Sequence, residues 1–360
     1  MRLKSMKTAA RTMAIGLVTA AGLGSAQPSL AVPRPVVPPG AVIQVPCITS
    51  ALAADITGAV SGDTLSLMGT CTYQLTAPLP VISKNLTIQG NGATIQRSYI
   101  PGTPDFGILT VTSGAVLVLN YLNLRNGNSG GNVGLPGTGR KDSAVTGAGA
   151  PVYNSGYGGA IFNENGEVTV NGGTLSNNNS RISGGAIYSL ARLRVNRVIF
   201  NGNTSEFGGA IANSFSQCLI AKPVSDCAMA VPEIATTLVT FSTFNANRAR
   251  HGGAIYVERS MTAANSGFTN NTAEDGGGIY VDDGSPTVTG SYFRHNQAGY
   301  GGGIYNNNVV MMNDSTVTGN FAEHDGGGIY NTGTITLTNS VVENNQPDNC
   351  APISIAGCTG

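Results

Sequence analysis

The amino-acid sequence predicts an all-β fold, a right-handed parallel β-helix (a solenoid) of about ten turns with an N-terminal cap. Two repeated motifs predict it. A Gly-Gly-Ala/Gly-Ile unit recurs at intervals of 24 to 26 residues, apart from one interval of 44, and an apolar residue followed three positions later by Asn recurs in phase with it. The short runs of Val, Thr, Ile and Tyr between these motifs lack a helical period, so each repeat is one turn of several strands, here called a rung.

The first 31 residues, 1–31, have the pattern of a secretory signal peptide. The apolar run Ala14–Leu23 follows a basic start, and small residues allow cleavage after Ala26 or Ala31. The basic residues are Arg2, Lys4, Lys7 and Arg11. Later stretches fall short of the roughly 20 apolar residues that a membrane helix needs. We therefore expect a secreted protein, extracellular or associated with the cell surface, without a membrane span.

The charge balance argues against nucleic acid as a partner. The full sequence has 19 basic and 19 acidic residues, and the leader contains four of the basic residues and none of the acidic ones. The mature chain is therefore mildly acidic, whereas phosphate binding requires a concentrated basic surface.

The rest of the chain divides into a short tether and one repeat domain. Residues 32–46 contain five prolines and are expected to form an extended tether. Residues 47–360 form the predicted parallel β-helix domain, with looser rungs first and regular repeats over 158–345. Loop insertions are expected at 127–157, which is rich in Gly, Ser and Asn, and at about 213–235, inside the unit of 44 residues.

Repeated residues are expected to form columns, because parallel strands of successive rungs lie about 4.8 Å apart. One column is a buried row of isoleucines, Ile161, Ile187, Ile211, Ile255, Ile279, Ile304 and Ile329. A second consists of turn asparagines that hydrogen-bond to one another and to the backbone, Asn178, Asn203, Asn247, Asn271, Asn296, Asn320 and Asn345. The paired glycines permit a positive φ or a close approach of two backbones.

Six cysteines in an exported chain indicate disulfides. Local pairing is the simplest of several possible connectivities, and it joins Cys47 to Cys71, Cys218 to Cys227, and Cys350 to Cys358. The first and last pairs would hold caps over the two ends of the solenoid, formed by Ile48–Val60 and Asn349–Gly360. Such caps are needed because open strand edges recruit other chains.

Two stretches resemble known proteins. Gly252-Gly253-Ala254-Ile255 and Phe268-Thr269-Asn270-Asn271 resemble the repeat of chlamydial polymorphic outer-membrane proteins, and the resemblance covers Gly158 to Asn345. It implies a surface-exposed β-helix with a role in adhesion. Gly62–Leu67 and Leu86–Ile95 are similar to the opening rungs of exported bacterial pectin-lyase-like proteins, which implies the same fold and leaves the activity open.

The residues that precede the glycine pairs are candidates for catalysis. His251, Asp275, Tyr300 and Asp325 occupy this position on consecutive rungs. Polysaccharide lyases and glycoside hydrolases use clustered carboxylates, and two rungs place Asp275 and Asp325 about 9.6 Å apart, near the upper limit for inverting glycosidases. The alternative, which we favour, is a solvated corner, because charged residues are common before glycine turns.

Three carboxylates are candidates for a calcium site. Glu258 lies one rung below Asp282 and Asp283, and oxygen ligands suit Ca²⁺. Asp-Asp-Gly is also an ordinary turn sequence, and we favour this structural role. No other cofactor is expected.

A column of aromatic residues offers the better binding feature. If each isoleucine points inward, the next residue points outward. This places six aromatic residues in an exterior row that is interrupted at Ala212, namely Phe162, Tyr188, Tyr256, Tyr280, Tyr305 and Tyr330. The last four form its contiguous part and are the candidates for ligand binding. The row offers amphipathic surface to a polysaccharide or to a host or cell-surface protein. The alternative is that the stacked rings only stabilise the sheet. We expect a non-catalytic protein of adhesion or glycan contact, with a polysaccharide lyase or hydrolase and a structural envelope component as alternatives.

Overall fold

The chain winds through three parallel sheets, and each complete rung contributes one strand to each sheet. The computed structural model describes residues 40–112, 114–130, 156–214 and 236–358. Within these residues the three sheets have 11, 9 and 10 strands, which confirms the predicted parallel β-helix. The predicted signal peptide 1–31 and most of the two predicted insertions lie outside the described residues, as do Cys218 and Cys227.

Sheet 1 contains, in spatial order, β1 (Val42–Val45), β2 (Asp63–Leu67), β4 (Leu86–Gln89), β7 (Val116–Asn120), β11 (Glu167–Asn171), β15 (Leu193–Asn196), β18 (Thr237–Thr240), β21 (Met261–Ala264), β24 (Thr287–Thr289), β28 (Val309–Asn313) and β32 (Thr334–Thr338). Sheet 2 contains β6 (Leu109–Val111), β10 (Ile161–Asn163), β14 (Ile187–Ser189), β17 (Ile211–Asn213), β20 (Ile255–Val257), β23 (Ile279–Val281), β27 (Ile304–Asn306), β31 (Ile329–Asn331) and β34 (Cys350–Pro352).

Sheet 3 contains β3 (Thr72–Leu75), β5 (Thr94–Arg97), β8 (Asn123–Arg125), β12 (Thr174–Ser176), β16 (Ile199–Asn201), β19 (Thr243–Asn245), β22 (Gly267–Thr269), β25 (Tyr292–Arg294), β29 (Thr316–Thr318) and β33 (Val341–Glu343). Two short additional sheets form at corners, and they pair β9 (Asn128–Ser129) with β13 (Asn179–Ser180) and β26 (Gln297–Tyr300) with β30 (Phe321–Asp325).

The core is built from columns of like residues. The seven predicted isoleucines pair in order along sheet 2, and each is at most 1% exposed. The apolar residues of the second motif form a stack on sheet 3, whose aromatic members are Phe200, Phe244, Phe268 and Phe293. Their successive ring centroids lie 4.7, 4.9 and 4.6 Å apart. Burial of each such side chain contributes about 1.5–3 kcal/mol, so the repeat itself supplies the hydrophobic stabilisation.

The turn asparagines form the predicted ladder. Nδ2 of Asn203 donates to Oδ1 of Asn247 at 2.9 Å, and the same oxygen accepts from the Asn203 backbone N–H at 3.0 Å. Nδ2 of Asn203 also donates to the carbonyl of Leu175, at 2.9 Å. The same geometry runs from Asn178 to Asn345. Each buried amide is therefore satisfied by its neighbours in the rungs above and below.

The paired glycines meet both requirements that the sequence indicated, one at each position. Gly276 has a φ of +65°, in the left-handed region. At Gly277, an added Cβ would lie 2.4 Å from the carbonyl oxygen of Gly302 in the next rung. The first glycine of the pair therefore turns the corner, and the second allows two rungs to approach.

A disulfide lies at each end of the solenoid, as local pairing of the cysteines predicted. Helix α1 (Thr49–Gly58) packs Leu52 and Ile56 against the first rung, where both are at most 1% exposed. The Cys47–Cys71 disulfide lies beside this helix, and Cys350–Cys358 closes the far end. Strand β1 begins at Val42, so the first paired strand falls inside the segment 32–46 that the sequence assigns to a tether.

Candidate functional site

The outer face of sheet 2 carries a stack of tyrosines. Each follows a core isoleucine, so strand alternation turns it outward. We call the four residues, Tyr256, Tyr280, Tyr305 and Tyr330, the tyrosine column. Successive ring centroids lie 5.5, 4.8 and 4.9 Å apart, with interplanar angles of 13°, 17° and 26°. The rings therefore stack as a continuous column on four consecutive rungs.

The members of the column differ in exposure. Tyr256 is only 6% exposed, whereas Tyr280, Tyr305 and Tyr330 are half-buried. The hydroxyl of Tyr256 lies 3.0 Å from Oε1 of Glu258 and 2.7 Å from Oδ2 of Asp282. Tyr256 was predicted to bind ligand as part of an exposed row, but packing and these carboxylates leave it little surface. The accessible part of the column begins at Tyr280.

Burial changes the pKa of two phenol groups in the column, those of Tyr280 and Tyr305. It raises the pKa of Tyr280 to about 12, and the negative charge of Asp282 adds to the effect. Nδ2 of Asn307 donates to the Tyr280 hydroxyl at 2.9 Å. Burial also raises the pKa of Tyr305, together with the charge of Asp275. These phenols therefore remain neutral hydrogen-bonding groups throughout the physiological range.

A second column runs along the corner beside the tyrosines. His251, Asp275, Tyr300 and Asp325 pair on consecutive rungs, as the sequence predicts. Nδ1 of His251 lies 3.0 Å from Oδ2 of Asp275. The imidazole of His251 is also 5.0 Å from the ring of Tyr280. The two columns therefore form one surface of aromatic and titratable side chains.

The two candidate catalytic acids, Asp275 and Asp325, have different partners in the structure. Asp275 faces His251, Tyr300 lies between Asp275 and Asp325 in the corner column, and the carboxyl group of Asp325 pairs with that of Asp348. Burial and this carboxyl neighbour raise the pKa of Asp348. Asp275 and Asp325 therefore belong to separate clusters.

The three candidate calcium ligands also have different hydrogen-bond partners. Glu258 and Asp282 converge on the Tyr256 hydroxyl, whereas Asp283 accepts a hydrogen bond from Asn308, 2.6 Å to its carbonyl and 3.4 Å to its carboxylate. Among the described residues, no group of three or more His, Cys, Asp or Glu side chains is arranged to hold a metal ion. The carboxylates instead serve as hydrogen-bond acceptors at the edge of the column.

Two aromatic neighbours, Tyr157 and Phe207, were missed from the sequence, whereas Tyr300 was predicted in the corner column. Tyr157 and Phe207 occupy the same corner column, below His251, and Phe207 lies edge-on to Tyr256 with centroids 5.1 Å apart. Tyr300 stands edge-on to Tyr330 at 5.0 Å and beside His324 at 4.8 Å. Their common signal is the position before a glycine pair or within that turn. These rings extend the aromatic surface of the tyrosine column onto the corner.

Comparison with known proteins supports the resemblance found in the repeats. The Chlamydia polymorphic membrane protein repeat matches residues 197–214, 268–282 and 314–332. A search of curated proteins gave no match. No helix in the described part of the chain has the length and apolar character required to cross a membrane. The chain thus carries Chlamydia polymorphic membrane protein repeats in a parallel β-helix, a combination that suggests an outer-membrane or surface protein.

Proposed function

We propose that this protein is a non-catalytic β-helix of the cell surface or exterior that contacts glycans through its tyrosine column, with adhesion as the outcome. The observation that carries the proposal is the regular spacing of half-exposed Tyr280, Tyr305 and Tyr330, at 4.8 and 4.9 Å. A linear row of equivalent groups suits a linear, hydroxyl-rich polymer better than a compact ligand.

The stack determines which atoms meet the ligand. Because the rings cover one another's faces, the column presents ring edges and hydroxyl groups. Ring edges carry partial positive charge, and neutral phenols both donate and accept hydrogen bonds. The Asn307 amide extends this polar row beside Tyr280. Recognition by hydrogen bonds to sugar hydroxyls is therefore favoured over stacking of sugar rings on aromatic faces.

A polysaccharide screen that measures binding and chain cleavage together tests the proposal. We expect binding without release of reducing or unsaturated ends. Tyr305→Phe removes only the hydroxyl and is expected to weaken binding about 3- to 10-fold, the value of one net hydrogen bond. Tyr292→Phe is the matched control, because Tyr292 is 40% exposed on sheet 3, away from the column.

Unchanged glycan binding by Tyr305→Phe and by the double variant Tyr280→Ala, Tyr305→Ala would contradict the proposal. The folding of each variant is checked by thermal unfolding, so that loss of binding is not confused with loss of structure.

A glycan-cleaving enzyme is the second candidate, and one observation favours it. Nδ1 of His251 lies 3.0 Å from Oδ2 of Asp275 without the geometry of a hydrogen bond, so two groups of the kind used in general acid–base catalysis lie side by side. Cleavage products in the same screen that disappear in Asp275→Ala would establish this activity and overturn the non-catalytic proposal.

A further inference from the structure

One corner of the solenoid has a left-handed backbone on eight consecutive rungs. It joins sheet 1 to sheet 3, and the corner N–H of one rung donates to the carbonyl that precedes its counterpart on the next. The φ angles lie between +49° and +67°. We call this set the left-handed column, and its members are Tyr121, Gly172, Arg197, Phe241, Asn265, Gly290, Asp314 and Asn339.

Three members of the left-handed column are unexpected in this backbone. Gly, Asn and Asp accept a positive φ most readily, and they fill five of the eight positions. The other three, Tyr121, Arg197 and Phe241, have bulky side chains, for which this conformation carries strain. All three are exposed, Tyr121 by 61% and Phe241 by 53%, so burial does not offset the strain. Aromatic and Arg side chains supply much of the binding energy at protein interfaces, so these positions indicate a contact surface.

The left-handed column also carries two opposite charges without a charged partner. The guanidinium of Arg197 lies over the ring of Phe241, 5.2 Å from its centroid. Within the described part of the chain, no ion pair joins Arg197 or Asp314 to another side chain. Oδ1 of Asp314 accepts a hydrogen bond of 3.3 Å from the neutral amide of Asn339. Arg197 and Asp314 are four rungs apart, about 19 Å, so they cannot pair within one molecule.

The column is complementary to itself when two copies run in opposite directions about Asn265. Arg197 lies two rungs before Asn265, and Asp314 lies two rungs after it. Phe241 and Gly290 lie one rung before and one rung after. A twofold axis through Asn265 therefore sets Arg197 of each copy against Asp314 of the other, and Phe241 against Gly290. The two Asn265 amides meet at the axis, where each can donate and accept.

Gly290 gives the Phe241 ring of the second copy a surface to rest on. Its φ of +57° disfavours any larger residue. A Cβ added there would also lie 2.6 Å from Oδ1 of Asn265, because that amide leans over the glycine. In the antiparallel pair, the ring therefore lies on backbone and amide, without an opposing side chain. The shape and the charge of the column thus favour the same register.

We propose that the left-handed column is a self-association surface, at which two copies of this chain pack antiparallel about Asn265. The matched part covers five rungs, about 19 Å, so the buried area is small and the dimer is weak and reversible. Copies held side by side on one surface would add such contacts together. The tyrosine column lies on sheet 2 and stays exposed, so the proposal is independent of glycan contact.

Disulfide trapping of the full chain tests the proposal. Asn265→Cys places one thiol of each copy at the twofold axis, where contact raises the effective concentration of the pair. Asn339→Cys is the matched control, since Asn339 is also exposed, has a similar φ of +49°, and lies three rungs from the axis. With a mild thiol oxidant, we expect interchain disulfides to form about tenfold faster in Asn265→Cys, measured on non-reducing gels. Equal rates in the two variants would overturn the proposal.

Charge reversal in the Asn265→Cys chain tests the register. Arg197→Asp and Asp314→Arg each set like charges opposite one another and are expected to slow crosslinking about tenfold. The double reversal restores opposite charges and is expected to return the rate to within about threefold. Arg248→Asp, at an exposed arginine outside the column, is the control and should leave the rate unchanged. A double reversal as slow as the single ones would overturn the pairing of Arg197 with Asp314.

A pair of aromatic variants separates the contact from strain. Phe241→Asn and Tyr121→Asn both place a residue that accepts a positive φ, so both are expected to leave the fold intact in thermal unfolding. Only Phe241 has a counterpart in the antiparallel pair, since that of Tyr121 would lie beyond Asn339. In the Asn265→Cys chain, Phe241→Asn is therefore expected to slow crosslinking about 3- to 10-fold, whereas Tyr121→Asn leaves it unchanged. Equal effects of the two variants would overturn the proposed register.

Discussion

Nδ2 of Asn271 donates a hydrogen bond of 2.9 Å to Oδ1 of Asn296, the residue at the same position in the next rung. The same oxygen accepts from the Asn271 backbone N–H at 3.0 Å, and Oδ1 of Asn271 accepts both corresponding bonds from Asn247. One side chain thus connects three rungs. The ladder repeats this arrangement at each turn, which explains why Asn recurs with little variation.

Replacement of Asn271 by alanine is expected to lower the free energy of unfolding by about 3 kcal/mol, because it leaves buried donors and acceptors of two neighbours unsatisfied. Chemical denaturation followed by circular dichroism measures the change. Asn270→Gly is the matched control, since Asn270 is exposed and has a φ of +54°, which glycine accepts. Its cost is expected to be less than about 1 kcal/mol. Equal costs for the two would contradict the structural role of the ladder.

Replacement of Gly277 by alanine is expected to destabilise the protein by about 1–3 kcal/mol, as an overpacked site between two rungs. The added Cβ would meet the Gly302 carbonyl oxygen at 2.4 Å and that of Gln297 at 2.7 Å, and neither backbone atom can move away cheaply. Gly319→Asn is the control. Gly319 has a φ of +64° and only side-chain contacts at 3.4 Å, and asparagine occupies the equivalent position at Asn270. Thermal unfolding of both variants makes the comparison, and a Gly277→Ala variant as stable as wild type would show that the close approach is unimportant.

The stability of the protein is expected to fall between about pH 10 and pH 12. Tyrosine has an ordinary pKa of about 10, and burial, assisted by the charge of Asp282, raises that of Tyr280 to about 12. The unfolded state therefore loses its proton first, so the stabilisation is complete below the unfolded pKa and is lost as pH rises through the folded one.

Absorbance of the phenolate during an alkaline titration measures this late-titrating tyrosine directly. Tyr280→Phe is expected to remove one late-titrating group and to make the loss of stability in this window shallower. A titration curve that Tyr280→Phe leaves unchanged at the alkaline end would assign the shift to another residue.

Loss of the Cys47–Cys71 disulfide is expected to destabilise the N-terminal cap. The bond closes a segment with a sequence separation of 24 residues, and a crosslink of this length stabilises by about 3 kcal/mol. The Cys47→Ala, Cys71→Ala double variant is therefore expected to expose helix α1 to amide hydrogen exchange before the central rungs. The Cys350→Ala, Cys358→Ala variant provides the comparison, with a separation of only 8 residues and a smaller expected loss. Identical exchange at α1 in the double variant and the wild type would show that the disulfide does not hold the cap.

The columns of this protein follow from the sequence alone. In a solenoid, a residue contacts its own counterpart one rung away, so the period of about 25 residues encodes the main contacts directly. Ile255 above Ile211, Asn271 below Asn296 and Tyr280 against Tyr305 all follow from counting along the chain. The two end disulfides follow for the same reason, since each joins residues that are close in sequence.

The way in which neighbouring columns meet does not follow from the sequence. Contacts between columns depend on the width of the corner and on side-chain rotamers, which have no period in the sequence. Phe207 leans toward Tyr256 across the space left by Ala212, and the Tyr256 hydroxyl meets two carboxylates from different rungs. Three members of the predicted row, Phe162, Tyr188 and Tyr256, are buried, whereas Tyr280 and the residues beyond it stay accessible. The interruption at Ala212, visible in the sequence as a break in a pattern, becomes a pocket only because rings from the adjacent column enclose it.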